Sequence, residues 1–257
     1  MEKESESTQF LTQRLFGKKA QEYSNSSLLV NQSNLDMIID IAGISGTDKV
    51  LDVATGTGFL ALAIADTGAE VVATDFTKSM LEKTRELLDD RNNASLALTD
   101  ADSQPFSADS FDVVACRVAV HHFANPQTAF SEMTRVCKND GRVVVMDVVS
   151  AEDKSKSELH NKMAKLRDPS EFRQWRISEL EEMLSNSGLS ISKTEIWTHV
   201  MEFDEWIRLG GADETTAEKI RTIMIDSMDG NKAGLNPVYR DGELVFTWTT
   251  AIILAQK

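Results

Sequence analysis

Cysteine is nearly absent from this 257-residue sequence: only Cys116 and Cys137 occur. Two thiols make no disulfide framework, and these two lack a metal-ligand spacing, so no metal site is expected. They read as buried thiols in a reducing compartment, which implies a cytoplasmic protein. Basic residues are scarce as well. Lys and Arg number 27 against 41 Asp and Glu, a formal net charge of −14. That balance argues against a nucleic-acid backbone as main partner, which needs a basic face, and against an anionic membrane surface. Long apolar runs are missing, and none approaches a membrane span. The opening stretch from Met1 to Thr8 is acidic and polar and does not read as a signal peptide. There are no repeats or low-complexity tracts. The length fits one large domain, or one domain plus a small cap.

What is present centres on one glycine turn. Leu51-Asp-Val-Ala-Thr-Gly-Thr-Gly58 is a short apolar strand running into a turn, then an apolar helix from Phe59 to Ala65. Glycines let the backbone approach a ligand, and a helix N-terminus offers N–H groups. The next strand-like stretch, Glu70 to Asp75, ends in an acid about twenty residues on, where a carboxylate can accept both hydroxyls of a ribose. A nucleoside-bearing cofactor is the first expectation. The turn also fits the dinucleotide pattern G-x-G-x-x-A through Ala61. Three details favour S-adenosylmethionine. Asp52 stands before the turn, where it can face an ammonium but would repel a pyrophosphate. Asp100 follows the third strand, where an adenine amino group could be read. Two strand-like stretches end the chain and suit a hairpin beside a parallel sheet.

The rest of the chain alternates. Strands are expected over 49–53, 70–75, 94–98, 111–116 and 142–149, short Val-rich runs that suit a sheet buried on both faces. Thr77 is placed to cap the helix carrying Met80, Leu81, Thr84, Leu87 and Leu88. Asn125-Pro126 opens another helix, with proline at its first position. Ser178 with Glu181 reads as a capping box, and Gly188 suits the C′ position. This order predicts an α/β fold with a doubly wound, mostly parallel sheet, whose ligands sit outside the strands' carboxyl ends. Residues 1–45 read as an N-terminal helical cap, 46–150 as the cofactor-binding core, and 151–257 as the part completing the sheet with further cap helices. Those helices are expected over 155–166, 202–209 and 214–228, with strands over 189–198 and 243–254.

Within this frame the chain resembles the class I S-adenosylmethionine-dependent methyltransferases, in the small-molecule branch that includes the quinone C-methyltransferases. Val50–Gly58 looks like that family's first motif and Thr74–Met80 like its second. Asp100–Phe106 with Ser110–Val114 looks like the adenine segment and fourth strand. Arg135–Met146 looks like the end of a helix and the fifth strand. Three features depart from the pattern. Ala54 stands where the family usually has the first glycine of the turn. Asn139-Asp-Gly141 replaces the usual proline-glycine-glycine. The stretch Cys116–Phe123 differs from that of the quinone methyltransferases.

The resemblance implies a seven-stranded Rossmann-like sheet and methyl transfer from S-adenosylmethionine to a small organic acceptor, leaving S-adenosylhomocysteine. It implies a cofactor site of Asp52, Ala54, Gly56, Gly58, Asp75, Phe76, Met80, Asp100 and Ala101, with Phe76 and Met80 flanking adenine. Arg117 could pair with the methionine carboxylate, with a carboxylate substrate, or in a structural salt bridge. Tyr23 could close over the sulfonium or simply pack. His121 is the candidate base or substrate contact, with His122 beside it. The four tryptophans, Trp175, Trp197, Trp206 and Trp248, read as packing residues. An NAD-dependent oxidoreductase and a non-catalytic cofactor-binding module stay as alternatives. The acceptor and the oligomeric state, monomer or homodimer, are left open.

Overall fold

The computed structural model describes residues 32–257. Tyr23 and most of the stretch read as an N-terminal cap lie outside the described residues. Helices are α1 Gln32–Ala42, α2 Phe59–Asp66, α3 Lys78–Leu87, α4 Pro126–Val136, α5 Lys154–Arg167, α6 Ile177–Asn186, α7 Phe203–Gly210 and α8 Glu214–Asp226. Strands are β1 Lys49–Val53, β2 Glu70–Asp75, β3 Ala94–Leu98, β4 Phe111–Arg117, β5 Cys137–Val148, β6 Ser190–Glu202, β7 Val238–Arg240 and β8 Glu243–Gln256. They form one sheet in the order β3-β2-β1-β4-β5-β8-β6, with β7 paired to β8. The first five strands run parallel, whereas β8 is antiparallel to both β5 and β6.

The sheet therefore has one strand more than the expected seven. Asp241 and Gly242 both take positive φ, 53° and 91°, so the chain reverses in two residues and β7 pairs back on β8. An Asp-Gly pair is the composition that such a turn requires. The expected terminal hairpin is different in kind. Its two long strands, β6 and β8, are neighbours, but α7 and α8 lie between them in the chain.

Both faces of β1, β2, β4 and β5 are covered, so side chains alternate between two cores. Leu51, Val53, Val114, Val143, Val145 and Ile253 join α4 and α6 on one side. Val50, Val113, Ala115, Val144, Met146 and Ile252 join α1 and α2 on the other. Leu35, Ile38 and Ala42 of α1 lie in this second core. The described part of the N-terminal stretch is thus a layer on the sheet face. A third core holds Met163, Phe203, Trp206, Ile220, Met224, Leu244 and Phe246, so α5, α7 and α8 pack on the first half of β8.

Three expected caps are replaced by other bonds. Thr77 occupies the N-cap position of α3, but its contribution is a backbone N–H given to Asp75 Oδ1 at 2.8 Å. Asn125 donates to Thr128 Oγ1 at 2.6 Å, and Pro126 is the first residue of α4 as expected. At α6, Glu179 accepts from the Arg176 backbone N–H, while Ser178 donates to Glu152. Gly188 has φ +92°, as the C′ position requires.

Candidate active site

The glycine turn is tied to the end of the neighbouring strand β2. The Thr55 N–H donates to Thr74 O at 2.8 Å, and the Gly56 N–H donates to Asp75 Oδ2 at 3.0 Å. Thr84 Oγ1 of α3 donates to Gly56 O at 2.8 Å from the far side. Ala54, Gly56 and Gly58 all take positive φ, 56°, 58° and 91°. Such angles favour glycine, so Ala54 carries strain at the place where the family usually has one. The two glycines differ in surroundings. A Cβ on Gly56 would meet nothing within 4 Å, whereas one on Gly58 would lie 2.7 Å from Thr84 Cγ2. The turn is therefore packed against α3 on one side and leaves room at Gly56.

Asp52, the penultimate residue of β1, is 1% exposed. Burial pushes its carboxyl up to about 7, against the bond from Thr55 Oγ1 at 2.6 Å and the nearby charge of Arg117. Arg117 ends β4. Its own burial pulls the guanidinium down to about 10, with Asp52 opposing. Asp75, at the end of β2, is also raised by burial, to about 6, although it accepts from the Gly56 and Thr77 amides. Two buried carboxylates at adjacent strand ends create a demand for positive charge or hydroxyl donors.

The loop after β3 completes this side. The Thr99 N–H donates to Asp75 O at 3.0 Å, and Asp100 Oδ1 accepts from the Asp102 N–H at 3.1 Å. Gln104 Nε2 donates to Asp100 O, and Arg135 of α4 holds the carbonyls of Gln104 and Phe106. Burial, then Asp100 and Glu132, push Asp102 up to about 6.

On the other side of Arg117 the chain makes a short 3-10 turn, Val120–His122. His121 is bound twice to Asp147 of β5. Its backbone N–H donates to Oδ2 at 3.1 Å, and its Nδ1 lies 2.7 Å from Oδ1. Burial pulls the imidazole pKa down, but the charge and hydrogen bond of Asp147 outweigh it, and the net shift is upward. His122 goes the other way, down to about 3, through burial and the neighbouring His121. The segment after α5 closes on this turn. Phe172 and Arg173 both donate backbone N–H groups to His121 O, at 2.7 and 3.0 Å. His122 Nδ1 lies 3.3 Å from Ser170 Oγ, which donates to Asp168 Oδ1 at 2.5 Å.

Asp52, Ala54, Gly56, Gly58, Asp75, Asp100, Arg117 and His121 thus all fall at or just beyond the carboxyl ends of β1 to β4. Phe76 follows Asp75 and is half-buried, and Ala101 packs on the first core. Met80 is 3% exposed, a core residue of α3. Among the described residues, no group of three His, Cys, Asp or Glu could hold a metal ion, and no helix is long and apolar enough to cross a membrane. Sequence reasoning missed Thr55, Thr84 and, above all, Asp147. An acid inside the apolar run from Val143 to Val149 was the available signal for the last.

A doubly wound α/β sheet with a glycine turn after its first strand, and acids at the ends of the first two, defines the class I methyltransferase architecture. Comparison with known proteins agrees. Residues 51–145 match the family model described as a methyltransferase domain. The uncharacterized methyltransferase YcgJ of Bacillus subtilis is 32% identical over 216 residues, 83% of this chain and 85% of that protein. The crystal structure of YcgJ superposes with a TM-score of 0.83 at 30% identity, covering 88% of this chain and 98% of that one. A demethylmenaquinone methyltransferase of Clavibacter sepedonicus is 36% identical over 107 residues, 42% of this chain and 43% of that protein. The chain belongs to the methyltransferase family, and it is an S-adenosylmethionine-dependent methyltransferase. The oxidoreductase and non-catalytic alternatives find no support in these likenesses.

Proposed function

We propose that this enzyme methylates a small organic acceptor in the cytoplasm, with S-adenosylmethionine held across the ends of β1, β2 and β3. The observation that carries this reading is the bond from the Gly56 N–H to Asp75, beside the open space at Gly56. Asp75 has oxygen lone pairs for ribose hydroxyls, and the turn beside it leaves room for a ligand backbone. Asp52, raised by burial, would be relieved by an ammonium group. Arg117 would face the carboxylate of the same methionine portion, and Asp100 and Ala101 would border adenine with Phe76. Tyr23 belongs to the proposed site by resemblance alone. The bound group supplies an electrophilic methyl.

The chain's own part is to orient the acceptor in line with that methyl and to exclude water. Residues 46–150 would hold the cofactor. The helices of 151–257, with the N-terminal stretch, would cover the acceptor. The small-molecule reading rests on the net charge of −14, on the demethylmenaquinone likeness, and on the cover that the 168–174 segment gives to the His121 turn. Calorimetry with S-adenosylhomocysteine and with NAD tests the cofactor assignment. Binding of the first and not the second is expected, and the reverse would refute it.

A further inference from the structure

Resting on that reading, we infer that His121 is a general base, held in one tautomer by Asp147, and that the acceptor is therefore a weak O–H or C–H acid rather than a tertiary amine or thioether. The geometry has three parts. Asp147 binds both the backbone N–H and the ring Nδ1 of His121, at 3.1 and 2.7 Å, so the imidazole cannot turn without losing its bond to that carboxylate. With Nδ1 committed to a carboxylate, the ring's acceptor lone pair is on Nε2. The turn sits directly after β4, whose last residue, Arg117, lies beside Asp52 and the proposed methionine portion.

The surrounding charges support the same role. Asp147 from β5 and Glu171 from the segment after α5 favour the imidazolium, while Arg167 of α5 opposes it. His122, on the same turn, is held neutral by its own burial. One imidazole of the pair is thus tuned to take a proton and the other is not. A buried carboxylate that stabilises an imidazolium is of no use to an acceptor that already carries an available lone pair. It serves one that must lose a proton as it attacks.

The step balances without a further reagent. The acceptor's proton passes to Nε2, the pair it leaves behind forms the bond to the methyl carbon, and the electrons of the S–C bond stay on sulfur. The neutral thioether product and a methylated acceptor leave, and the imidazolium returns its proton to water. His121 is the catalytic residue in this scheme. Asp147 is a positioning residue that acts through it.

The test has two readouts on the full chain. The first is histidine NMR titration. There are four histidines, and His121 is assigned by its loss in His121→Asn. Its pKa should lie above the usual value in the wild type and fall in Asp147→Asn. The second is methylation of 4-nitrophenol, catechol and acetylacetone against triethylamine and dimethyl sulfide, with labelled S-adenosylmethionine. The acids should be methylated, with kcat rising with pH through the value titrated by NMR. His121→Asn should lower kcat by about 100-fold or more with KM for the cofactor unchanged. Asp147→Asn should move the pH profile as it moves the titration. Methylation of the amine or thioether as fast as the acids, or of none of the acids, overturns the inference, as does a flat pH profile in the wild type. Calorimetry with S-adenosylhomocysteine on each variant separates the two claims. Lost binding in the wild type defeats the cofactor assignment, whereas intact binding with the wrong acceptors defeats only the general base.

Discussion

Thr84 fills the place that a side chain on Gly58 would need: its Cγ2 lies 2.7 Å from where the Cβ would stand. The same residue holds Gly56 through its hydroxyl, at 2.8 Å from the carbonyl. The two glycines should therefore fail differently. Gly58→Ala is expected to cost roughly 1–3 kcal/mol of stability through overpacking against Thr84, in addition to the cost of its own positive φ, about 1–2 kcal/mol. Gly56→Ala meets no neighbour and carries only the αL cost, about 1–2 kcal/mol. It should instead weaken S-adenosylhomocysteine binding by intruding on the open side. Denaturation curves and calorimetry on both variants check the contrast.

Ala54 offers the opposite experiment. Its φ of 56° is strained for any residue with a Cβ. Ala54→Gly should raise stability by about 0.5–1 kcal/mol, the relief of strain being reduced by the greater freedom of glycine in the unfolded chain. Urea unfolding midpoints give the answer, and a lower midpoint in the variant would contradict the strain argument.

Asp75 serves both the turn and the proposed ribose contact. Asp75→Ala removes the acceptor for the Gly56 and Thr77 amides along with any bond to ligand hydroxyls. Charged hydrogen bonds of this kind contribute roughly 1.5–3 kcal/mol each. The expected result is at least a tenfold loss of S-adenosylhomocysteine affinity in a folded protein, read by calorimetry alongside circular dichroism. Unchanged affinity would leave Asp75 a purely structural residue.

Ionisation makes the site pH-sensitive in a definite direction. Asp52 and Asp75 are raised by burial, to about 7 and about 6. A carboxyl whose folded pKa is raised stabilises the fold while protonated. That contribution is complete below the unfolded value and is lost as pH climbs through 6 and 7. These two groups should therefore make the ligand-free protein less stable from about pH 4 toward pH 7. An ammonium beside Asp52 favours the ionised form, so binding of S-adenosylhomocysteine near pH 6.5 should release a proton and tighten as pH rises. Calorimetry in two buffers of different ionisation enthalpy measures that proton directly, and zero release would place the ammonium elsewhere.

Arg167 and Glu171 form a buried ion pair, with the guanidinium 5.0 Å from the Trp206 ring and 5.9 Å from that of Trp248. The stem of Arg167 also lies over Gly210 and leaves no room there for a side chain. Arg167→Met leaves Glu171 uncompensated and should cost about 3–5 kcal/mol. Adding Glu171→Gln should recover much of that loss. A double-mutant cycle in urea measures the coupling.

Much of this was legible in the chain, and particular residues show why. The first two strands were bounded correctly because short β-branched runs between turn residues, buried on both faces, have few other readings. The acids at Asp52 and Asp75 stood out because a charge at the end of such a run is costly to bury unless a partner or a ligand meets it. Asp147 was passed over because its partner is 26 residues away, and no local pattern reports a bond across two strands. The caps misled for a related reason. Ser178 donates its hydroxyl to Glu152 and Asn125 donates its amide to Thr128, in place of accepting from the backbone N–H groups they were expected to serve. The Asp241-Gly242 hairpin carried its signal openly, but no strand was expected between the 214–228 helix and Glu243. Helices α7 and α8 were visible as helices. Their shared core with β8 was not, since it is assembled from residues far apart in the chain.

That long last strand governs how substrate can enter. Phe246 of β8 lies in the helical core, while Ile253, seven residues on, lies in the core of the sheet. A single hydrogen-bonded rod thus runs through both bodies, and no linker separates them. A swinging jaw would have to bend that rod and break its pairing with β5 or β6. Admission of the acceptor would then fall to stretches of chain that cross no strand. Motion of whole domains is thereby disfavoured, and exchange of reactants should be paced by local opening of shorter segments.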